Sequence, residues 1–388
     1  MGLSAYSVPK RRAIASAALG DAHRGARFLA IAAMSDHGKP AADDPPKAAG
    51  FAVSGGPPGL HAPGATMPPV VRKLLLASPR GYCAGVERAV ETVERALELY
   101  GAPIYVRKQI VHNLHVVRDL EERGAIFVDE ETEVPEGRTI VFSAHGVAPA
   151  VREGAGRRRL HTIDATCPLV TKVHVQARRY AADGYTVILV GHAGHEEVVG
   201  TMGEAPDSIV LVESSDDVEE LAFPAGTKLA YVTQTTLSVD ETSEVIAALR
   251  RRFPDIYAPR KEDICYATSN RQWAVKEMLG EIDLLLVIGS RNSSNSNRLV
   301  EVARSGGVPA HLIDDEREID EAWLDGVEVV GITSGASAPE KLVRRTCAWF
   351  EERGEVEIVP HRLVTEDVEF RLPVELRREL ELAAAQST

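Results

Sequence analysis

Cysteine is scarce in this chain: Cys83, Cys167, Cys265 and Cys347 are the only four in 388 residues. They are too few and too far apart for a disulfide-stapled scaffold, and a reducing, cytoplasmic setting is the expectation. Their separations fit neither a zinc ribbon nor a ferredoxin-type run. Aromatic residues make up only 5%, so the cores must rest on Val, Leu, Ile and Ala. No stretch of about 20 apolar residues occurs, which argues against a membrane-spanning helix and a membrane partner. The longest apolar runs, such as YTVILV, have the length of a buried strand. A long basic stripe is also missing. With 57 acidic against 44 basic residues the net charge is -13, which argues against nucleic acid as a partner and leaves room for a local anion pocket. Neither G-x-x-x-x-G-K-[ST] nor G-x-G-x-x-G is present, so nucleotide-loop folds are unsupported.

What remains is a chain with 44% hydrophobic residues, enough for two or three compact α/β units. Residues 1–70 stand apart. They are rich in Ala, Gly and Pro (PPKAAG, GGPPGLHAPGATMPP) without sustained periodicity, and are expected to form a disordered or loose extension. The Arg-rich start loosely resembles a transit peptide, but Asp21, His23, Arg24 and Arg27 break its apolar pieces. A signal peptide is therefore not expected, and Met67 is an alternative start.

From Val71 the pattern changes. VRKLLLAS has strand character, PRGYCAG is a loop, and VERAVETVERALELYG is an amphipathic helix that ends at Gly101. The same succession recurs around TIDATCP and DICYATS, each followed by a helix and an apolar strand. Strands alternating with helices predict parallel sheets. A Cys between a strand and a helix, repeated at intervals of about 85–100 residues, predicts three related α/β units. Their expected bounds are 71–160, 161–258 and 259–352, with 353–388 packing back on the core.

The chemistry-bearing residues fall at the junctions. A lone Cys is most often a small buried hydrophobe, and Cys347, within the helical RRTCAWFEER, fits that role. Cys83, Cys167 and Cys265 lie at helix starts, where amides and the dipole are expected to lower the thiolate pKa. Three thiolates from distant segments make a metal site plausible, though spacing alone is a weak signal. His112 (QIVHN), His145 (SAHGV), His192 and His195 (GHAGHEEVVGTMGE) follow or lie near apolar strands. One such His is ordinarily structural, but several beside small residues suit anion binding and proton donation. Glu197, two residues after His195, places a carboxyl on the same loop. VTQTTLSVDET (with Thr233, Thr235, Thr236 and Ser238), GSRNSSNSNR and GITSGASAPEKL are clusters that can cradle phosphate with amides and hydroxyls, or merely form turns and caps.

These segments resemble the 4-hydroxy-3-methylbut-2-enyl diphosphate reductase family over roughly residues 72–375. The resemblance is carried by GYCAGVERAV, IVHN, SAHGV, DATCPLV, GHAGHEEVVGTMGE, QTTLSVDET, DICYATSNRQ, GSRNSSNSNRL and GASAPE. It implies an α/β fold of three units, with mostly parallel sheets, around a central 4Fe–4S cluster. Cys83, Cys167 and Cys265 would hold the cluster and leave one iron without a Cys ligand. His112, His145 and His195 would line a diphosphate pocket, Ser293, Ser294, Asn295 and Ser337 would bind its oxygens, and Thr235 and Glu197 would sit near the substrate hydroxyl, with Glu197 as proton donor. The implied reaction converts a small allylic diphosphate to isopentenyl and dimethylallyl diphosphate. With no flavin or nicotinamide motif, an external electron donor such as ferredoxin or flavodoxin is implied. One departure is visible: where the family usually has H-P-E, this chain has His195-Glu196-Glu197. The competing readings are a metal-dependent hydrolyase or hydrolase on the same Cys/His/Glu set, and an iron–sulfur sensor without turnover.

Overall fold

The computed structural model describes residues 71–386, so the extension expected at 1–70 lies outside the described residues. Strands and helices alternate throughout. The first stretch comprises β1 (Lys73–Ser78), α1 (Ala84–Tyr100), β2 (Ile104–Arg107), α2 (Leu114–Glu122), β3 (Ala125–Val128), β4 (Thr139–Phe142), α3 (Pro149–Arg157) and β5 (His161–Asp164). The second comprises α4 (Pro168–Ala182), β6 (Thr186–Val190), α5 (Glu196–Met202), β7 (Ile209–Val212), α6 (Ser215–Glu220), β8 (Leu229–Thr233) and α7 (Val239–Arg252). The third comprises α8 (Tyr266–Met278), β9 (Leu284–Ile288), α9 (Ser294–Ser305), β10 (Ala310–Ile313), β11 (Val329–Ser334), α10 (Glu340–Glu351), β12 (Glu357–Arg362) and α11 (Val374–Gln386).

Three sheets result, with strand orders β3-β2-β4-β5, β7-β6-β8 and β10-β9-β11-β1-β12. Every strand pair in them is parallel. Strands such as β9 (LLLVI) and β8 (LAYVT) are buried along their whole length, the signature of a sheet covered on both faces. The first strand does not join the elements that follow it. β1 sits between β11 and β12, so the segment expected at 71–160 lends its opening strand to the sheet of the segment expected at 259–352. The apolar KLLLAS explains this, because a strand with no polar face belongs inside a sheet rather than at its edge. The C-terminal residues pack back on the body: β12 pairs with β1, and Leu376 of α11 is buried in the same core as Val86, Ala89 and Val93 of α1.

Each of the three helix-start cysteines marks a crossing from one sheet to the next. The chain leaves β1 of the five-stranded sheet, passes Cys83, and packs α1 on the four-stranded sheet. It leaves β5, passes Cys167, and packs α4 on the three-stranded sheet. After α7 it passes Cys265 and packs α8 on the five-stranded sheet.

Arg271 ties two of these crossings together. Its side chain is fully buried and donates to the Gly81 carbonyl at 2.7 Å, the Ala267 carbonyl at 2.9 Å and Glu366 Oε1 at 3.1 Å. Gly81, at φ +71°, holds a left-handed conformation that turns its carbonyl inward, which a residue with a side chain would resist. Arg271→Met strands the Gly81 carbonyl and takes the cation from the part-buried Glu366, which keeps only the Asn270 amide at 3.0 Å. A loss of about 3–5 kcal/mol is expected, measured as a lower denaturant midpoint.

Candidate active site

The crossings and strand ends converge on one cavity of about 100 Å3. It lies beyond the carboxyl ends of parallel strands, where α/β sheets gather their functional loops. All twelve residues that the family resemblance assigns to the site line it: Cys83, Cys167 and Cys265; His112, His145 and His195; Glu197 and Thr235; and Ser293, Ser294, Asn295 and Ser337. His192 does not. It lies to one side, with its Nε2 3.4 Å from Arg298. Cys347 is packed in the core beside Leu342, Val343 and Phe350.

Each cavity thiol occupies the N-cap position of its helix, Cys83 on α1, Cys167 on α4 and Cys265 on α8. Cys265 Sγ accepts the Thr268 N–H at 3.4 Å and lies 3.2 Å from its hydroxyl. For Cys167 and Cys265 the expectation that a helix start would lower the thiol pKa is corrected by burial. Cys167 is pushed up to about 12 and Cys265 to about 11, first by loss of water and then by the charge of Cys83. Hydrogen bonds from helix amides oppose the rise without cancelling it. Thiolates so placed need a compensating cation close by. Gly85 makes room for one: a Cβ there would lie 2.6 Å from Cys167 Sγ and 3.8 Å from Cys83 Sγ. Among the described residues no three Cys, His, Asp or Glu side chains gather closely enough to share one metal ion. The three thiols share the lining of one cavity, with the space over Gly85 between Cys83 and Cys167, a donor set that fits a metal group.

The opposite wall is imidazole. The His112 and His145 rings stack with centroids 4.0 Å apart, and His195 stands edge-on to them at 5.7 and 5.9 Å. Burial lowers the pKa of His112 and of His195 to about 4. It takes His145 well below the ordinary value, with help from the other two rings, and His145 Nδ1 is buried without a hydrogen-bond partner. Three neutral rings and an unmatched nitrogen form a wall that an anion would satisfy, since its charge favours the imidazolium form. His195 also caps α5, accepting the Glu197 N–H on Nδ1 at 3.2 Å, which leaves Nε2 to carry the proton of the neutral ring.

Glu197 is 1% exposed. Its Oε1 accepts the Thr235 N–H at 2.6 Å and its Oε2 accepts the Thr235 hydroxyl at 3.0 Å. Burial raises its pKa to about 7 in spite of those two hydrogen bonds, and the charge of Asp263 adds to the rise. A carboxyl that still holds a proton near neutral pH is suited to act as a general acid. The unusual Glu196 beside it does not line the cavity. Its carboxylate lies 3.9 Å from Arg107 Nη1 and 4.0 Å from Lys108 Nζ, so the extra charge faces the end of β2.

A third wall is built from small polar residues at the ends of β9 and β11. Ser293 caps α9 by accepting the Ser296 N–H, and the Ser294 hydroxyl donates to the Thr236 carbonyl at 2.8 Å. Asn295 donates to the Thr268 hydroxyl at 3.2 Å and accepts the Ala336 N–H at 2.9 Å. Ser337 donates to the His112 carbonyl at 2.9 Å. Thr268 and Gly85 were not singled out as site residues from the sequence. The signal for Thr268 was its place three residues after Cys265, which on a helix start returns a side chain to the cap.

Fold and site together define an α/β protein in which three thiols at helix N-cap positions, a cluster of imidazoles and a buried carboxyl share one cavity. The chain belongs to the LytB protein family, whose model matches residues 74–351. Similar curated proteins carry the name 4-hydroxy-3-methylbut-2-enyl diphosphate reductase. The one from Acidothermus cellulolyticus is 61% identical over 310 residues, covering 80% of this chain and 91% of that protein. The one from Streptomyces coelicolor is 58% identical over 317 residues, covering 81% and 93%. Among solved structures, the E-1-hydroxy-2-methyl-but-2-enyl-4-diphosphate reductase from Plasmodium falciparum aligns with a TM-score of 0.79 at 39% identity, covering 82% of this chain and 99% of that one.

Proposed function

We propose that this protein reduces (E)-4-hydroxy-3-methylbut-2-enyl diphosphate to isopentenyl and dimethylallyl diphosphate. The substrate takes up two electrons and two protons; one proton leaves with the hydroxyl as water and the other ends on carbon. The observation that carries this reading is the buried Glu197 carboxyl, pinned by Thr235 in the cavity that the three thiols and the three imidazoles line. Cys83, Cys167 and Cys265 would hold a 4Fe–4S cluster with one iron free of Cys, and when bound it supplies single electrons and a Lewis-acidic iron. The electrons come from an external donor, for which a small carrier such as ferredoxin or flavodoxin is suited.

The remaining steps belong to the chain's own side chains. The diphosphate is bound between the imidazole wall of His112, His145 and His195 and the hydroxyls and amide of Ser293, Ser294, Asn295 and Ser337. The anchored diphosphate fixes the carbon chain, so positioning lowers the barrier before any bond changes. Glu197 delivers a proton to the departing hydroxyl oxygen, which leaves as water rather than hydroxide. Thr235 keeps the carboxyl aimed through both of its oxygens, and His195, whose ring caps the same helix turn, keeps the loop in register. Burial of the carboxyl keeps competing water away from the proton.

The direct test is anaerobic turnover of the purified, iron-loaded protein with the hydroxylated diphosphate and a chemical reductant, with the two isopentenyl products detected by chromatography. A brown protein that releases neither product would remove this reading in favour of an iron–sulfur sensor. A colourless protein with one bound zinc would favour a hydrolyase or hydrolase. The diphosphate clamp has its own signature. Removing one hydroxyl in Ser294→Ala is expected to raise KM about 10-fold, as befits a lost hydrogen bond to a charged group, with kcat nearly unchanged because the contact is made equally in ground and transition states.

A further inference from the structure

Two polar residues behind the imidazole wall have no part in the scheme above. Gln109 lies between β2 and His112, and Asn292 lies between β9 and α9, so they belong to loops of different sheets. Neither lines the cavity. They meet across the gap, with Asn292 Nδ2 donating to Gln109 Oε1 at 2.7 Å. His112 Nδ1 lies against both, 3.3 Å from Gln109 Oε1 and 3.3 Å from Asn292 Nδ2.

The ring nitrogen therefore faces an amide oxygen that accepts and an amide N–H2 that donates. Nδ1 has a partner whether it carries a proton or not. His145 Nδ1, one ring away in the stack, has no hydrogen-bond partner. Because Nδ1 is occupied by the amide pair, Nε2 is the nitrogen of His112 left for the cavity.

We propose that Gln109 is a positioning residue for His112: its carbonyl, held in place by Asn292 from the facing loop, fixes the ring plane and commits Nε2 to the diphosphate. This rests on the reading of His112 as a diphosphate contact. The two loops carry two walls of the clamp, His112 on one and Ser293, Ser294 and Asn295 on the other. The Gln109–Asn292 bridge sets the spacing between those walls as well as the ring.

The test uses anaerobically prepared, iron-loaded protein, with inorganic pyrophosphate as the binding probe by calorimetry and steady-state kinetics as a second readout. Gln109→Leu removes the acceptor. It is expected to weaken pyrophosphate binding roughly 10-fold, the size of effect seen when an orienting partner behind a functional His is lost, and to raise KM by a similar factor with kcat within about 2-fold. Gln109→Glu keeps an acceptor at the same reach and is expected to retain affinity within about 3-fold. Wild-type affinity and KM in Gln109→Leu would overturn the inference. So would an equal loss in Gln109→Glu, which would mark the amide as a packing element rather than an acceptor. If wild-type protein itself failed to bind pyrophosphate, the diphosphate reading and this inference would fall together. Loss confined to Gln109→Leu leaves both standing.

Discussion

Glu197→Gln is expected to lower turnover about 10²–10⁴-fold, the usual worth of a positioned general acid, in a protein that melts no earlier than wild type. The amide is the same size as the carboxyl. Its oxygen can accept the Thr235 N–H, and its nitrogen can donate to the Thr235 hydroxyl, so both hydrogen bonds of the native site have a replacement. What disappears is the transferable proton.

The stability side has a definite sign. Burial raises the folded-state pKa of Glu197 from 4.5 to about 7. Below pH 4.5 the carboxyl is protonated in both folded and unfolded chains and contributes nothing to the balance. Between 4.5 and 7 the unfolded chain releases the proton and the folded one does not, so native stability falls as pH rises. Above 7 the full cost applies, about 3 kcal/mol at 1.36 kcal/mol for each pH unit of the rise. Glu197→Gln abolishes this cost. Its melting temperature should exceed that of wild type at pH 8, with the gap closing toward pH 4.5. The same protonation predicts the pH profile of the native enzyme, with an alkaline limb of kcat that falls tenfold per pH unit above about 7 and is missing from the residual rate of Glu197→Gln. Thermal scans and rate profiles on one set of samples check both. An unchanged kcat in the variant would remove Glu197 from the proton path.

Cys265→Ser is expected to strip the protein of iron and reduce turnover to background. A serine hydroxyl at the head of α8 keeps the helix cap, so the fold should persist, but it offers no thiolate. Cys83→Ser and Cys167→Ser should behave alike. Cys347→Ser is the control: it places a hydroxyl in an apolar core at about 1–3 kcal/mol, with iron content and activity retained. Iron and sulfide analysis with anaerobic absorbance separates the two outcomes. Because a group bound only by the folded chain adds to its stability, each of the three serine variants should melt where chelator-stripped wild type melts. Full iron content in any one of them would exclude that cysteine as a ligand.

The local sequence carried a good deal of this. VERAVETVERALELYG ends where expected, at Gly101, because an amphipathic period and a C-terminal glycine are written in adjacent residues. The strand-Cys-helix succession also surfaced in sequence, since each Cys stands at the N-cap position of the helix that follows it. Its electrostatic consequence did not. Helix amides are local, whereas the burial that raises Cys167 and Cys265 comes from three sheets closing on one point. Sheet membership of β1 was hidden for a similar reason: KLLLAS declares a buried strand but not which neighbours bury it. The twelve cavity residues came to notice through long family-like motifs, while Gln109 and Asn292, inside QIVHN and GSRNSSNSNR, carried no sign of a role. Their contact spans 183 positions and leaves no periodic or spacing signal in either segment.

The placement of the three cavity thiols at the crossings between sheets sets a condition on how the molecule matures. No single sheet carries more than one of them, so a metal group held by all three, as proposed, would find its full set of thiols only after the chain has emerged past Cys265. Capture would then come after the last crossing is made, and would fasten three joints at a stroke.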